Sequence, residues 1–168
     1  MSVTALLTGA PLAATGKPGD VDTLALYPTG RNNVGMRAKG YDTTGNVAEY
    51  IYLKGVTSTI VGSVVTFDQA GTTALVVASG AGICAVATGI TVGSTFGWYG
   101  VQGVFLTDVV ANTAAGGKLG RETTDGKVGD GFSAGDQIVG AYLGLVATTA
   151  AAVVLAIYSY PVCGVNVA

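Results

Sequence analysis

The chain has 168 residues and a formal net charge of −2, with charged side chains at 11% of positions against 49% hydrophobic. That length admits one compact domain with a real core, or a smaller domain carrying an extended arm. So apolar a composition excludes intrinsic disorder, and the acidic balance leaves no electrostatic footprint for nucleic acid. With so few charges, much apolar surface must be covered by something other than water, such as further copies of the chain, a partner protein or lipid.

Residues 1 to about 45 read differently from the rest. Pro11, Pro18 and Pro28, three of the four prolines, fall there among Gly9, Gly16, Gly19, Gly30 and Gly35. Breakers at this spacing disfavour helix, while the alternation of Val21-Asp22-Thr23-Leu24-Ala25-Leu26-Tyr27 predicts a short half-buried strand. The region is expected to be an extended arm (1–45) with one or two strands, lying on a neighbour or mobile, ahead of a β-domain (46–168). Met1-Ser2-Val3-Thr4-Ala5-Leu6-Leu7 lacks the basic start and long apolar core of a signal peptide, which implies synthesis in the cytoplasm.

After the Gly45-Asn46 turn, Glu49-Tyr50-Ile51-Tyr52-Leu53-Lys54 is aromatic and β-branched, a strand. Thr59-Ile60-Val61, Ser63 to Phe67, Thr72 to Val77 (after a turn at Ala70-Gly71), Ile83 to Gly89 and Gly97 to Phe105 continue that character. Asp68 is the sole charge between Gly55 and Thr107, so this run is expected to be buried or covered by an oligomer. Gly97, Gly100 and Gly103 around the only Trp suggest bulges or close backbone approach.

Ala114 to Gly117 reads as a loop. Short strands are then predicted at Lys118–Arg121, Lys127–Gly129 and Ile138–Leu143, separated by the turn pairs Asp125-Gly126 and Asp130-Gly131. The densely charged stretch from Lys118 to Asp136 is expected to form solvated outer loops. A last strand, Ala152 to Tyr160, is apolar on both faces and should stop at Pro161. Many short antiparallel strands at turn spacings of about 8–12 residues predict an all-β fold, a compact barrel or sandwich of jelly-roll type with an extended N-terminal arm.

No constellation for chemistry emerges. The chain has no His, so the commonest acid–base group and the His-dependent triads are missing, and no enzyme is expected. Gly80-Ala81-Gly82-Ile83-Cys84-Ala85 matches a dinucleotide-binding glycine pattern. The residues after it are β-branched and no acid follows about 20 positions on, so no cofactor is expected. Glu122, Asp125 and Asp130 fit no calcium-loop spacing and read as solvated turn residues. Arg37, Lys39 and Lys54 are the nearest approach to a basic cluster. Cys84 and Cys163, both in apolar runs, read as buried free thiols or as one disulfide.

The aromatic residues Tyr50, Tyr52, Phe96, Trp98, Tyr99, Phe105, Tyr142 and Tyr158 are expected to anchor the core or a subunit interface, because large rings supply most packing area. Ile138 to Ala168 carries no charge and exceeds the ~20 residues that cross a bilayer as helix, so a membrane span near 138–160 stands as an alternative. Pro161, the Gly and Thr content and the lack of flanking basic residues argue against it.

Three segments carry a family resemblance: Glu49-Tyr50-Ile51-Tyr52-Leu53-Lys54-Gly55-Val56, Phe96-Gly97-Trp98-Tyr99-Gly100-Val101-Gln102-Gly103, and Gly126-Lys127-Val128-Gly129-Asp130 through Ala134-Gly135-Asp136-Gln137-Ile138-Val139-Gly140-Ala141, with Tyr160-Pro161 at the end. Over about 46–162 the chain resembles the small decoration (cement, or head-stabilising) proteins of tailed bacteriophages. The resemblance implies a β-rich homotrimer without cofactor, bound to the major capsid protein on the outer surface of the virion. The arm, which the resemblance does not cover, is expected to lie across capsid protein or a neighbouring copy. Another phage head or tail component has the same physical needs and is the other alternative.

Overall fold

The structure, a computed structural model, describes residues 21–23, 34–41, 45–78, 80–93, 95–133, 135–144 and 147–164. Among them the fold is all-β, with eleven strands and no helix: β1 (Val21–Thr23), β2 (Arg37–Tyr41), β3 (Val47–Lys54), β4 (Val64–Phe67), β5 (Thr73–Leu75), β6 (Gly82–Ala87), β7 (Thr95–Val109), β8 (Lys118–Arg121), β9 (Val128–Gly129), β10 (Gln137–Leu143) and β11 (Ala152–Cys163). All join one sheet in the order β2-β3-β7-β9-β8-β10-β11-β6-β4-β5, with β1 added on β7. Of the arm, β1 and β2 pair into this sheet; the rest of 1–33 and 42–44 lies outside the described residues.

The organising element is β7, 15 residues long. One edge carries β3 and, at Val109, a single parallel pair with Val128 of β9. The other edge carries β1, β6 and β11 in succession. Because β9 pairs with β8, β8 with β10, and β10 with β11, the pairing returns to β7 and the sheet curls into a partial ring. Not all strands are short, and not all pairs antiparallel, as the turn spacing predicts. The Gly-rich centre of β7 bends within one strand where shorter strands were expected.

The bend has a visible cause. Tyr50 pairs with Gly100 but Glu49 pairs with Gln102, so β7 holds one extra residue there. A bulge of this kind exchanges the faces of every residue beyond it. Before it, Phe96 and Trp98 point into the main core and Tyr99 and Val101 into a second cluster with Ile51, Leu53 and Val65. Beyond it, Phe105 and Val109 point into the main core instead. Phe105 thereby folds back over Gly100, where any Cβ would overlap its ring.

Two other expectations are corrected. Thr59-Ile60-Val61 is a turn, because side chains satisfy its backbone locally: the Thr59 hydroxyl donates to the Val56 carbonyl at 2.8 Å, and the Ile60 N–H donates to Ser63 Oγ at 3.1 Å. Nor does β11 stop at Pro161. Val139 pairs with Val162 and Ala141 with Tyr158, leaving Ser159, Tyr160 and Pro161 opposite Gly140 alone. Inside such a bulge the missing proline N–H costs no ladder bond, so the strand runs on to Cys163.

The predicted turns differ in chemistry. At Thr124–Lys127 the Lys127 N–H donates to the Thr124 carbonyl at 3.1 Å and Gly126 takes a φ of 77°. Neither Asp130 nor Gly131 has positive φ, so that pair is not the tight turn its residues suggest.

Candidate functional site

Seven of the eight singled-out aromatics are buried: Tyr50, Tyr52, Phe96, Trp98, Tyr99, Phe105 and Tyr158. Adjacent strands bring their rings into a seam. Tyr52 meets Trp98 edge-to-face at 5.2 Å and stacks on Phe96 at 6.2 Å, while Phe105 meets Tyr50 at 5.6 Å and Tyr158 at 6.2 Å. Tyr99 lies on the opposite face of β7, hydrogen-bonded to Thr91, and its burial pushes the phenol pKa up. The seam is closed to solvent and offers no groove for a base or sugar. Tyr142 is different: it is 41% exposed.

Tyr142 belongs to a second feature that the sequence left undecided. On β11, Ala156 and Tyr158 point inward while Val153, Leu155 and Ile157 point out. Strand register places Leu106 opposite Leu155, and Val104 and Tyr142 on either side of Ile157. Ile157 is 49% and Leu106 44% exposed. A strand apolar on both faces is thus covered on one face only, and three neighbouring strands present a continuous apolar surface.

One end of that surface carries a polar cluster. Arg37 on β2 ion-pairs with Glu49 on β3 at 2.7 Å and lies 5.8 Å from the Tyr160 ring centroid. The Tyr160 hydroxyl is 3.0 Å from both Glu49 Oε2 and Gln102 Oε1. Tyr160 reaches them from a φ of 48°, which a bulky residue rarely adopts; the bulge re-aims its side chain. Partial burial raises the Glu49 pKa, but hydrogen bonds from Arg37 and Tyr160 and the charges of Arg37 and Lys39 outweigh it and hold the carboxyl below its ordinary range. The hydrogen bond to Glu49 in turn raises the Tyr160 phenol.

The stretch from Lys118 to Asp136 is only partly solvated, which corrects the expectation of solvated outer loops. Arg121 is 4% exposed and binds Asp136 Oδ1 at 2.6 Å and the Gly135 carbonyl at 2.7 Å. Lys127 reaches buried Asp108 at 2.8 Å. Asp130 accepts from the Ala114 N–H at 2.7 Å. Glu122 tucks its Oε1 inside with no hydrogen-bond partner among the described residues; burial, then Asp130 and Asp136, push its pKa up. Pairing of β8 with β9 and β10 draws these charges inward, and local sequence carries no sign of it.

The glycine pattern at Gly80 leads into strand β6, not into a helix N-terminus that would hold a pyrophosphate. Among the described residues no cluster of His, Cys, Asp or Glu is arranged to hold a metal ion. An open hollow of about 540 Å³ is lined by Val56, Thr57, Ser58, Leu75, Thr124 and Asp125, with no pair of groups set for acid–base work. The stretch 138–160 forms β10 and most of β11, and no helix among the described residues is long and apolar enough to cross a membrane.

Compared with known proteins, the chain matches no family model, no curated protein and no solved structure.

Proposed function

We propose that the chain is a virion structural protein that decorates the outer surface of a bacteriophage capsid as a homotrimer, clamping neighbouring major capsid subunits and so stabilising the shell. The observation that carries this reading is the apolar outer face of β7, β11 and β10. Leu106, Leu155, Ile157 and Tyr142 stand in solvent in the single chain, where a stable protein normally covers such a surface with a partner.

The resemblance to cement proteins supports the same reading. Its first two segments, Glu49–Val56 and Phe96–Gly103, fall on β3 and β7, the strands that hold the aromatic seam. A rigid seam of this kind suits a clamp, which works through fixed surfaces instead of moving parts. A component that binds only the assembled shell stabilises it by mass action, and many copies multiply modest contacts through effective concentration.

The test is add-back of the purified chain to shells that lack it. Electron microscopy is expected to show density at sites where capsid subunits meet, with treated shells surviving heat or low salt that breaks bare ones. No density on the head, or density only on the tail, would sink the proposal.

A further inference from the structure

The chain has two cysteines, 79 positions apart in sequence, and the fold puts them side by side. Cys163, the last residue of β11, pairs with Gly82, and Val162 pairs with Ile83. Cys84 lies two residues along β6 from Gly82, so it shares that face of the sheet and is the diagonal neighbour of Cys163. Both residues are buried in the main core. The Cys84 thiol donates to the Gly82 carbonyl oxygen at 3.6 Å.

A third group completes the site. The buried Arg121 guanidinium turns Nη2 to Asp136 and Gly135 and leaves Nη1 buried with no hydrogen-bond partner among the described residues. Nη1 faces the start of β6, where a Cβ on Gly80 would stand 3.9 Å away. A buried dithiol beside a buried cation is unlike the inert thiols of an ordinary apolar core.

We propose that Cys84 and Cys163 are an intramolecular redox pair, in which hydrogen peroxide oxidises Cys163 and Cys84 resolves it into a disulfide stapling β6 to β11. In the first step the Cys163 thiolate attacks one peroxide oxygen; the O–O bond breaks, hydroxide leaves and Cys163 becomes a sulfenic acid. In the second the Cys84 sulfur attacks that of Cys163, gives up its proton, and the sulfenic oxygen leaves as water. Two thiols and one peroxide become one disulfide and two waters, with sulfur the element oxidised and peroxide oxygen the element reduced.

The order follows from the surroundings. Cys84 gives its one hydrogen to the Gly82 carbonyl, a contact that favours the protonated thiol. The neighbouring Cys84 and the Arg121 charge hold the Cys163 thiol below its ordinary pKa against the effect of burial, while Cys84 is pushed up. The thiolate is the nucleophile, so Cys163 reacts first. Only two register pairs join β11 to β6 over the site, and opening of so short a ladder admits a small oxidant. Closure brings the sulfurs to about 2.05 Å, a movement that the bulged end of β11 can absorb.

The test uses the full chain. After peroxide treatment, unfolding and alkylation, both thiols are expected to be lost together, and peptide mass spectrometry to find one intrachain link between Cys84 and Cys163. The thermal midpoint should rise by about 5–10 °C and fall back on reduction. In Cys84→Ser the sulfenic acid persists and dimedone should label Cys163; in Cys163→Ser, Cys84 should remain a thiol. Oxidised wild-type protein in which both thiols still alkylate, or whose disulfides join different chains, overturns the proposal without recourse to either variant. Dimedone labelling of Cys84 in Cys163→Ser at the wild-type rate of thiol loss overturns the assigned order.

Discussion

Trp98 and Tyr142 carry similar sequence surroundings and opposite structural burdens. Trp98 is closed in by Tyr52 and the main core, so Trp98→Ala should cost about 3–5 kcal/mol, visible as a lower urea midpoint. Typical total stability is only about 5–15 kcal/mol, so that one ring decides much of it. Tyr142→Ala, at an exposed position, should change the midpoint of the single chain by less than about 0.5 kcal/mol. Charged residues divide in the same way. Glu49, with its pKa held down, contributes stability that is present above the ordinary carboxylate range and lost as pH falls through its lowered value. Glu122, with its pKa pushed up, contributes the reverse: its share is present below the ordinary range and lost as pH rises through the raised value. Glu122→Gln is therefore expected to raise the melting temperature at pH 7, with the gain vanishing in acid below the carboxylate range. Tyr160→Phe should move the Glu49 titration upward in an NMR experiment, because one of the hydrogen bonds that favour the carboxylate is gone.

The two longest strands are shaped by their irregularities more than by their regular parts. Gly140 holds a φ of 82° opposite the three-residue bulge of β11, and a Cβ there would overlap the Ser159 carbonyl oxygen. Gly140→Ala should cost about 2–3 kcal/mol from strained backbone and from displacing the bulge, read as a lower denaturation midpoint. It should also disturb Tyr160, and with it the contact to Glu49. Strand character at these positions was legible: Glu49–Lys54, Gly97–Phe105 and Ile138–Leu143 all lie within strands of the fold. Their ends were not. Proline reads locally as a stop, and only the pairing with β10 shows that Pro161 sits where no ladder bond is needed. The extra residue in β7 is likewise invisible to pattern, since glycines at 97, 100 and 103 permit a bulge without saying where it falls.

For the molecule as a whole, the question is what the outer face of β7, β11 and β10 meets. If it is a surface shared between copies in the proposed trimer, Ile157→Glu should leave the single-chain fold intact, because the side chain already faces solvent. It should also shift the chain from trimer to monomer in light scattering. A variant that remains trimeric would move the contact to another face.

Composition, alternation and turn residues determined that this is an all-β chain with buried aromatic rings, because side-chain periodicity and backbone preference act between neighbours a few positions apart. The tertiary structure alone decided which face of Val153–Ile157 stays bare, that Arg121 is drawn inside with Asp136, and that Cys84 meets Cys163. Those outcomes depend on which strands lie against one another across the curled sheet. A strand apolar on both sides reads the same whether one face or both are covered.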